Sequence, residues 1–386
     1  NQSVPSKQEL FVTETEARYS LPALLFHTVF RIILLSIDIF KDSSDRTLTF
    51  FYKLGFDGTS SFSIYKQMRG ESSSTEETVF VSQFSPLRLT SGTDPSKIFY
   101  ENRRPNSSSS CRVIRLKFEK ETVENVQSEF RRLQEGASSS FEVMVEGISF
   151  IVQCVPFFTM VDGKIINHLT GNLSTQNCPS CNAKPSELCK FDGFNVNRSN
   201  LKFGLAILHF LLNSFRNLIS IAVRLDFKQR EARGSERKSL KKIQEDRIRK
   251  EFKEKLNLIL DQPKDGGRGT STDGNLCRKA YREADTFANI TKLDLTLITR
   301  FWNIYLTLTS NFLVDPDNFH SYCRTTMELY LSLYGWFPPS PSVHRVLCHG
   351  AQFIREFCNP YQIPVGFLSE EAGESNNRRI KFYRTH

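Results

Sequence analysis

The alternation of apolar and polar positions predicts strands in the first half of the chain and helical periodicity in the second. Residues 47–56 form a β-prone aromatic run, and 79–84, 112–118 and 150–161 read as further strands, the last ending on Asp162. Helices are expected over 21–40, which is apolar, and over 119–133, which is polar enough for an exposed amphipathic helix. From residue 201 the pattern stays helical: 201–226 reads as buried, 228–255 as a long charged helix, and 276–313 as another helix. A short piece over 343–358 precedes a final helix starting near Glu370. Residues 1–20, 41–46, 70–77, 86–110 and 261–275 read as loops or loosely ordered polar segments, and Pro338, Pro339 and Pro341 break the helices. Strands, a helix and another strand suggest an α/β layer with Asp57 and Asp162 at strand ends, where ligand sites of such sheets sit.

Asp57-Gly58 has two readings. Between β-prone runs it is most simply a hairpin turn, with Phe62, Ile64 and Tyr65 on the returning strand. The other reading makes Asp57 a carboxylate at the end of a central strand, able to hold a divalent metal if others converge on it. Asp162 in FFTMVDGK and Glu374 in FLSEEAGESNNRR are the candidates. Ser369 caps the helix carrying Glu374, with Glu370 and Glu371 in its first turn. Spacing alone does not choose among the three glutamates, and an exposed acidic turn with Glu374 paired to Arg378 is the plainer alternative.

Composition narrows the class. The chain has 386 residues, 39% hydrophobic and 24% charged, enough for a sizeable core and two or three domains. Its 51 basic and 42 acidic residues leave a net charge of +9, which favours a polyanionic partner. Nine cysteines, scattered and odd in number, fit a reducing compartment with some on metal rather than a disulfide framework. The stretches 21–40 and 204–222 are apolar, but His27, Arg31 and Asp38 in one and His209 and Arg216 in the other make buried helices the better reading than membrane spans. No cleavable signal is visible, and with Asn1 first we expect a piece of a longer chain.

Cys178-Pro-Ser-Cys181 offers half of a tetrahedral zinc site or a redox pair. His344 and His349 in SVHRVLCHG are candidates for the other half, with Cys189 and Cys348 as competing ligands. A closed four-ligand site would be structural, clamping two distant segments. The helix over 228–255 alternates acids and bases, as a solvated helix with i,i+4 pairs does; a DNA-backbone face is the alternative. The glycine-rich 261–275 lacks the lysine and hydroxyl of a phosphate-binding P-loop and reads as a hinge or a nucleic-acid-contacting loop.

Taken in order, GFDGTSSFSIYKQ, NRRPNSSSSCRVI, TMVDGK, CPSC, LKFG, VRLDFK, QPKDGGRGTSTDGNLCRK, PPSPSVHRVLCHG and SEEAGESNNR resemble the Transib transposases, the DNA transposon family related to the catalytic subunit of the V(D)J recombinase. The similarity covers about nine-tenths of the chain, from near Thr47 onward. It implies an RNase H-like catalytic core, a mixed sheet flanked by helices, interrupted by a long, mostly helical zinc-binding insertion. The expected divisions are 1–45 as an N-terminal helical remnant, 46–177 as the first part of the core, 178–360 as the insertion and 361–386 as the final core helix.

The resemblance further implies Asp57, Asp162 and Glu374 as catalytic carboxylates holding two Mg²⁺ (or Mn²⁺) ions, and Cys178, Cys181, His344 and His349 as ligands of one structural Zn²⁺. It implies a nuclear homodimer acting on double-stranded DNA: nicking terminal inverted repeats, forming hairpins on flanking DNA and joining the ends to a target. Lys66, Arg278, Lys279, Arg378, Arg379, Lys381 and Arg384 are candidate phosphate contacts. The chain departs from the family in having Arg378 where Lys is usual, in lacking a recognisable repeat-binding region before residue 41, and in stopping at His386 where relatives continue. A zinc-stabilised DNA-binding protein without catalysis and a host nuclease of the same fold are the competing readings.

Overall fold

The computed structural model describes residues 9–59, 78–172, 174–261 and 272–385. It is a mixed α/β protein that divides into two compact units: Asn1–Leu173, Lys202–Ala206 and Phe357–His386 form one, Ser174–Leu201 and Ile207–Glu356 the other.

The first unit is built on an eight-stranded, curled mixed sheet of β1 (Leu10–Val12), β2 (Glu16–Tyr19), β3 (Thr47–Thr59), β4 (Val79–Ser91), β5 (Ile98–Glu101), β6 (Arg112–Phe118), β7 (Ser140–Val145) and β8 (Ile148–Phe157). The order is β1-β2-β6-β4-β3-β8-β7, with β5 paired to β4. β3 and β8 run parallel from Thr47↔Ile151 to Lys53↔Phe157; the other pairings are antiparallel. Every residue of β4 is buried, as befits a central strand covered on both faces.

Leu48, Phe50, Tyr52, Leu54 and Phe56 of β3 point into the main core. There they meet α1 (Leu21–Leu35), α3 (Val123–Ala137) and α4 (Gly163–Thr170), which supply Leu25, Val29, Val126, Leu133, Ile165 and Ile166. The period of two turns Lys53, Gly55 and Asp57 to the other face, the face on which α13 (Glu371–Thr385) packs. The segment before residue 46, which includes the short helix α2 (Ile37–Lys41), belongs to this unit: β2 pairs with β6, and α1 is part of its core.

Local signals misread several places. Asp57-Gly58 is not a turn; β3 runs through it and stays paired to β4 as far as Thr59↔Val79. The expected returning strand around Ile64 lies outside the described residues. Pro86 was expected in a loop but sits inside β4 opposite Tyr52, beside a register shift between Phe51 and Tyr52, where a missing N–H is tolerated. Residues 9–20 supply two strands rather than a loosely ordered lead. The strand expected to reach Asp162 stops at Phe157, and β7 had no expectation at all.

The second unit is helical: α5 (Arg198–Leu201), α6 (Ile207–Ala222), α7 (Ser235–Leu256), α8 (Gly274–Arg282), α9 (Ala284–Thr291), α10 (Leu295–Thr309), α11 (Pro316–Tyr334) and α12 (Pro341–Phe353). Phe215, Phe252, Tyr281 and Phe287 meet ring to ring at its centre. The charged helix α7 buries only Ile248, Phe252 and Leu256, and Lys241–Glu245, Arg247–Glu251 and Glu251–Lys255 pair along its surface at i,i+4. None of the described helices is long and apolar enough to cross a membrane.

Candidate functional site

Two sites emerge, one in each unit. In the first, Asp57 lies near the end of β3, and Asp162 lies five residues beyond β8 as the N-cap of α4, its Oδ1 accepting from Ile165 N at 2.7 Å. Gly55 makes their approach possible. A Cβ there would stand 2.0 Å from Met160 O, so only glycine lets the chain cross β3 at that point, where Met160 N donates to Leu54 O.

Glu374 occupies the first turn of α13, behind a cap in which Ser369 Oγ accepts from Glu371 N at 3.3 Å. The helix approaches β4 closely: a Cβ on Gly373 would lie 3.0 Å from Gln83 Nε2. A polar chain fixes it there. Asn376 Nδ2 donates to Gln83 Oε1 at 2.7 Å, and Asn377 Nδ2 donates to Asp57 Oδ2 at 2.8 Å.

The electrostatics follow from this convergence. Burial first, then the charges of Glu374, Asp162 and Glu121, hold the Asp57 carboxyl well above the ordinary carboxylate range; the Asn377 hydrogen bond pulls the other way. Glu121 is the residue that sequence reasoning missed. It reads as one of several glutamates opening a charged helix, yet its Oε2 would lie 2.8 Å from a Cβ on Gly58. Burial and Asp162 raise its carboxyl, against an ion pair with Lys164 at 3.0 Å. Like charges gathered in this way favour a bound cation or a retained proton.

In the second unit Cys178, Cys181, His344 and His349 offer ligand atoms that all lie within 4.8 Å of one another. Among the described residues they are the one group of three or more such side chains drawn together so tightly; the carboxylates around Asp57 are more loosely gathered. The cysteines come from a knuckle in which Cys178 N donates to Ala183 O and Asn182 N to Cys178 O, with Asn182 in the left-handed region at φ 58°.

Both histidines come from α12. His344 Nδ1 faces Leu188 O at 3.0 Å, which leaves Nε2 for a ligand, and Nε2 lies 3.6 Å from Cys181 Sγ. His349 Nε2 is buried with no hydrogen-bond partner, and the Phe194 ring stands edge-on to both imidazoles. Burial works against ionisation of Cys178, but the adjacent Cys181 and the two imidazoles outweigh it and hold its thiol well below the usual range. A soft S₂N₂ set with an orphaned imidazole nitrogen can hold a metal such as zinc. Cys348, which faces His344 Nδ1 and Lys190 O, and Cys189 stay outside the set.

The candidate phosphate contacts are dispersed. Arg378 and Arg379 are exposed on α13 and Lys279 on α8, whereas Arg278 donates to Tyr305 Oη at 2.7 Å and lies over its ring. Lys66 and the side chains of Lys381 and Arg384 lie outside the described residues. No protein-family model matches the chain, and a search of curated proteins returns no match to it.

Proposed function

We propose that this chain is the catalytic core of a DNA transposase of the Transib type: an RNase H-like unit carrying the carboxylates, interrupted by a mostly helical, zinc-stabilised insertion. The observation that carries the reading is the convergence of Glu374, Asp162 and Glu121, from three separate segments, on the carboxyl of Asp57, with Asn377 of the Glu374 helix hydrogen-bonded to that carboxyl and Glu121 packed against Gly58. The parallel pairing of β3 with β8, which sets Asp57 and Asp162 on adjoining paths, and the ordered motifs support it as well.

In this reading the reaction is phosphoryl transfer on double-stranded DNA. Water cleaves a phosphodiester at the terminal repeat, and the freed 3′-OH attacks a second one, giving hairpins on flanking DNA and then joined ends. Asp57, Asp162 and Glu374 are the residues that would hold two Mg²⁺ (or Mn²⁺) ions, which when bound supply Lewis-acid stabilisation of the charge developing on the phosphate. Asn377 fixes the rotamer of Asp57, and the α4 amide at Ile165 fixes that of Asp162. Exposed cations such as Arg378 and Arg379 neutralise DNA phosphates. The cysteine–histidine site holds one structural Zn²⁺. The protein works in the nucleus as a homodimer.

Comparing Asp57→Asn with the wild type tests this. The variant is expected to bind repeat-bearing duplex DNA with unchanged affinity and to lose Mg²⁺-dependent cleavage. Equal cleavage by the two proteins would remove Asp57 from the mechanism.

A further inference from the structure

Lys53 is a lysine with no exposed surface, in the middle of β3. A buried amine is costly to desolvate, and an apolar side chain of similar length would fill the space without that penalty. Its hydrogen bonds explain why an amine stands there. Nζ donates to Ser369 O at 2.6 Å and to Asn106 Oδ1 at 2.6 Å, and Asn106 Nδ2 in turn donates to Gly366 O at 2.8 Å. One side chain thus ties the strand that carries Asp57 to the residue that caps the helix carrying Glu374.

The second tie is Asn377 to Asp57. The two ties are commensurate. From Lys53 to Asp57 is four residues of strand, about 13 Å at the strand rise. From Glu371, the first residue of α13, to Asn377 is six residues, about 9 Å at the helix rise, and the extended lead-in from Ser369 adds to it. Helix α13 therefore lies along β3 pinned at two matched points, with Glu374 between them. Glu374 precedes Asn377 by three residues, so both lie on the same side of the helix. Asn377, with the neighbouring Asn376–Gln83 bond, fixes the helix farther along, whereas the Lys53 tie fixes its N-terminal end; together they set its height and rotation.

We propose that Lys53 is a positioning residue for the carboxylate site, holding α13 in the register that aims Glu374 at Asp57. The inference rests on reading Asp57, Asp162 and Glu374 as a divalent-metal site. It assigns Lys53 no contact with substrate or metal. Its role is geometric: residues that orient metal ligands without touching the ion typically change metal affinity by about 10- to 100-fold when removed.

The test is Mn²⁺ binding to the zinc-loaded full chain, followed by electron paramagnetic resonance, for the wild type, Asp57→Asn, Lys53→Met and Asn106→Ala. Lys53→Met keeps the volume and removes the donor. Asn106→Ala keeps the lysine and removes its second anchor, so it carries the test if Lys53→Met fails to fold. The expected result is Mn²⁺ affinity lowered about tenfold in Lys53→Met, and lowered in the same direction in Asn106→Ala, with zinc content and circular dichroism unchanged. A folded variant that melts at lower temperature yet binds Mn²⁺ within about twofold of wild type would make Lys53 merely structural and overturn the proposal. Wild-type Mn²⁺ binding that is absent, or indifferent to Asp57→Asn, would overturn the metal reading beneath it. Tight, Asp57-dependent Mn²⁺ binding without DNA cleavage would sink the transposase assignment and leave Lys53 judged by the affinities alone.

Discussion

Asn377 and Asp57 are separated by 320 residues of chain and joined by a 2.8 Å hydrogen bond from Nδ2 to Oδ2. Among the described residues, Asn377 is a neutral donor to a carboxyl whose other neighbours include Glu374, Asp162 and Glu121. The site stores electrostatic repulsion in the absence of a cation, and that repulsion has a measurable sign.

Burial and its acidic neighbours raise Asp57, so the fold favours its protonated form. The stability this contributes is present below the ordinary carboxylate range and is lost as pH rises through the raised value. Asp57→Asn removes the penalty. Without added Mg²⁺ the variant is expected to be more stable than wild type at pH 8, by on the order of 1 kcal/mol, with a smaller gain at pH 5. Thermal melts at the two pH values check this. A variant no more stable at pH 8 than at pH 5, relative to wild type, would contradict the clustered-carboxylate picture.

Lys53 has the opposite sign. Burial pulls it down to about 7, against the fields of Cys111, Glu370 and Glu371. Between that value and the ordinary lysine range the unfolded chain holds a proton that the folded one does not. Stability contributed by Lys53 therefore falls as pH drops toward 7, with a slope of about 1.4 kcal/mol per pH unit. Urea unfolding from pH 7 to 9 should show that slope in the wild type and its loss in Lys53→Met. Parallel curves for the two proteins would exclude it.

The cysteine–histidine site predicts one zinc per chain. Cys178→Ser or His349→Ala is expected to release it and to destabilise the helical unit by several kcal/mol, since metal bound at a closed site contributes directly to folding. Metal analysis and melting of the purified variants would show this. Full zinc retention by Cys178→Ser would mean that another group, such as Cys348, replaces it.

Much of this was legible in the sequence. The strands over 47–56, 79–84 and 112–118, the charged helix with its i,i+4 pairs, and the Ser369 cap follow from patterning and capping chemistry. What was illegible depended on contacts distant in sequence. Gly58 carried a turn signal, but its role is to admit Glu121, whose Oε2 would meet a Cβ there at 2.8 Å. Pro86 reads as a break because a missing N–H usually ends a strand, and only the register shift beside it explains its place in β4. Nothing local singles out Lys53, because its acceptor lies 316 residues away. Glu121 hid among neighbours of equal charge. Periodicity reports which face a residue shares, whereas these four positions were decided by what another segment brings to that face.

The most direct test of the account is cleavage of end-labelled duplex DNA carrying candidate terminal repeats. It would be run with Mg²⁺ or Mn²⁺, wild type beside Glu374→Gln, on a denaturing gel. The account predicts nicks and hairpin products with the wild type and neither with the variant. Identical products from both, or none from a wild-type protein that binds the DNA and carries its zinc, would contradict it.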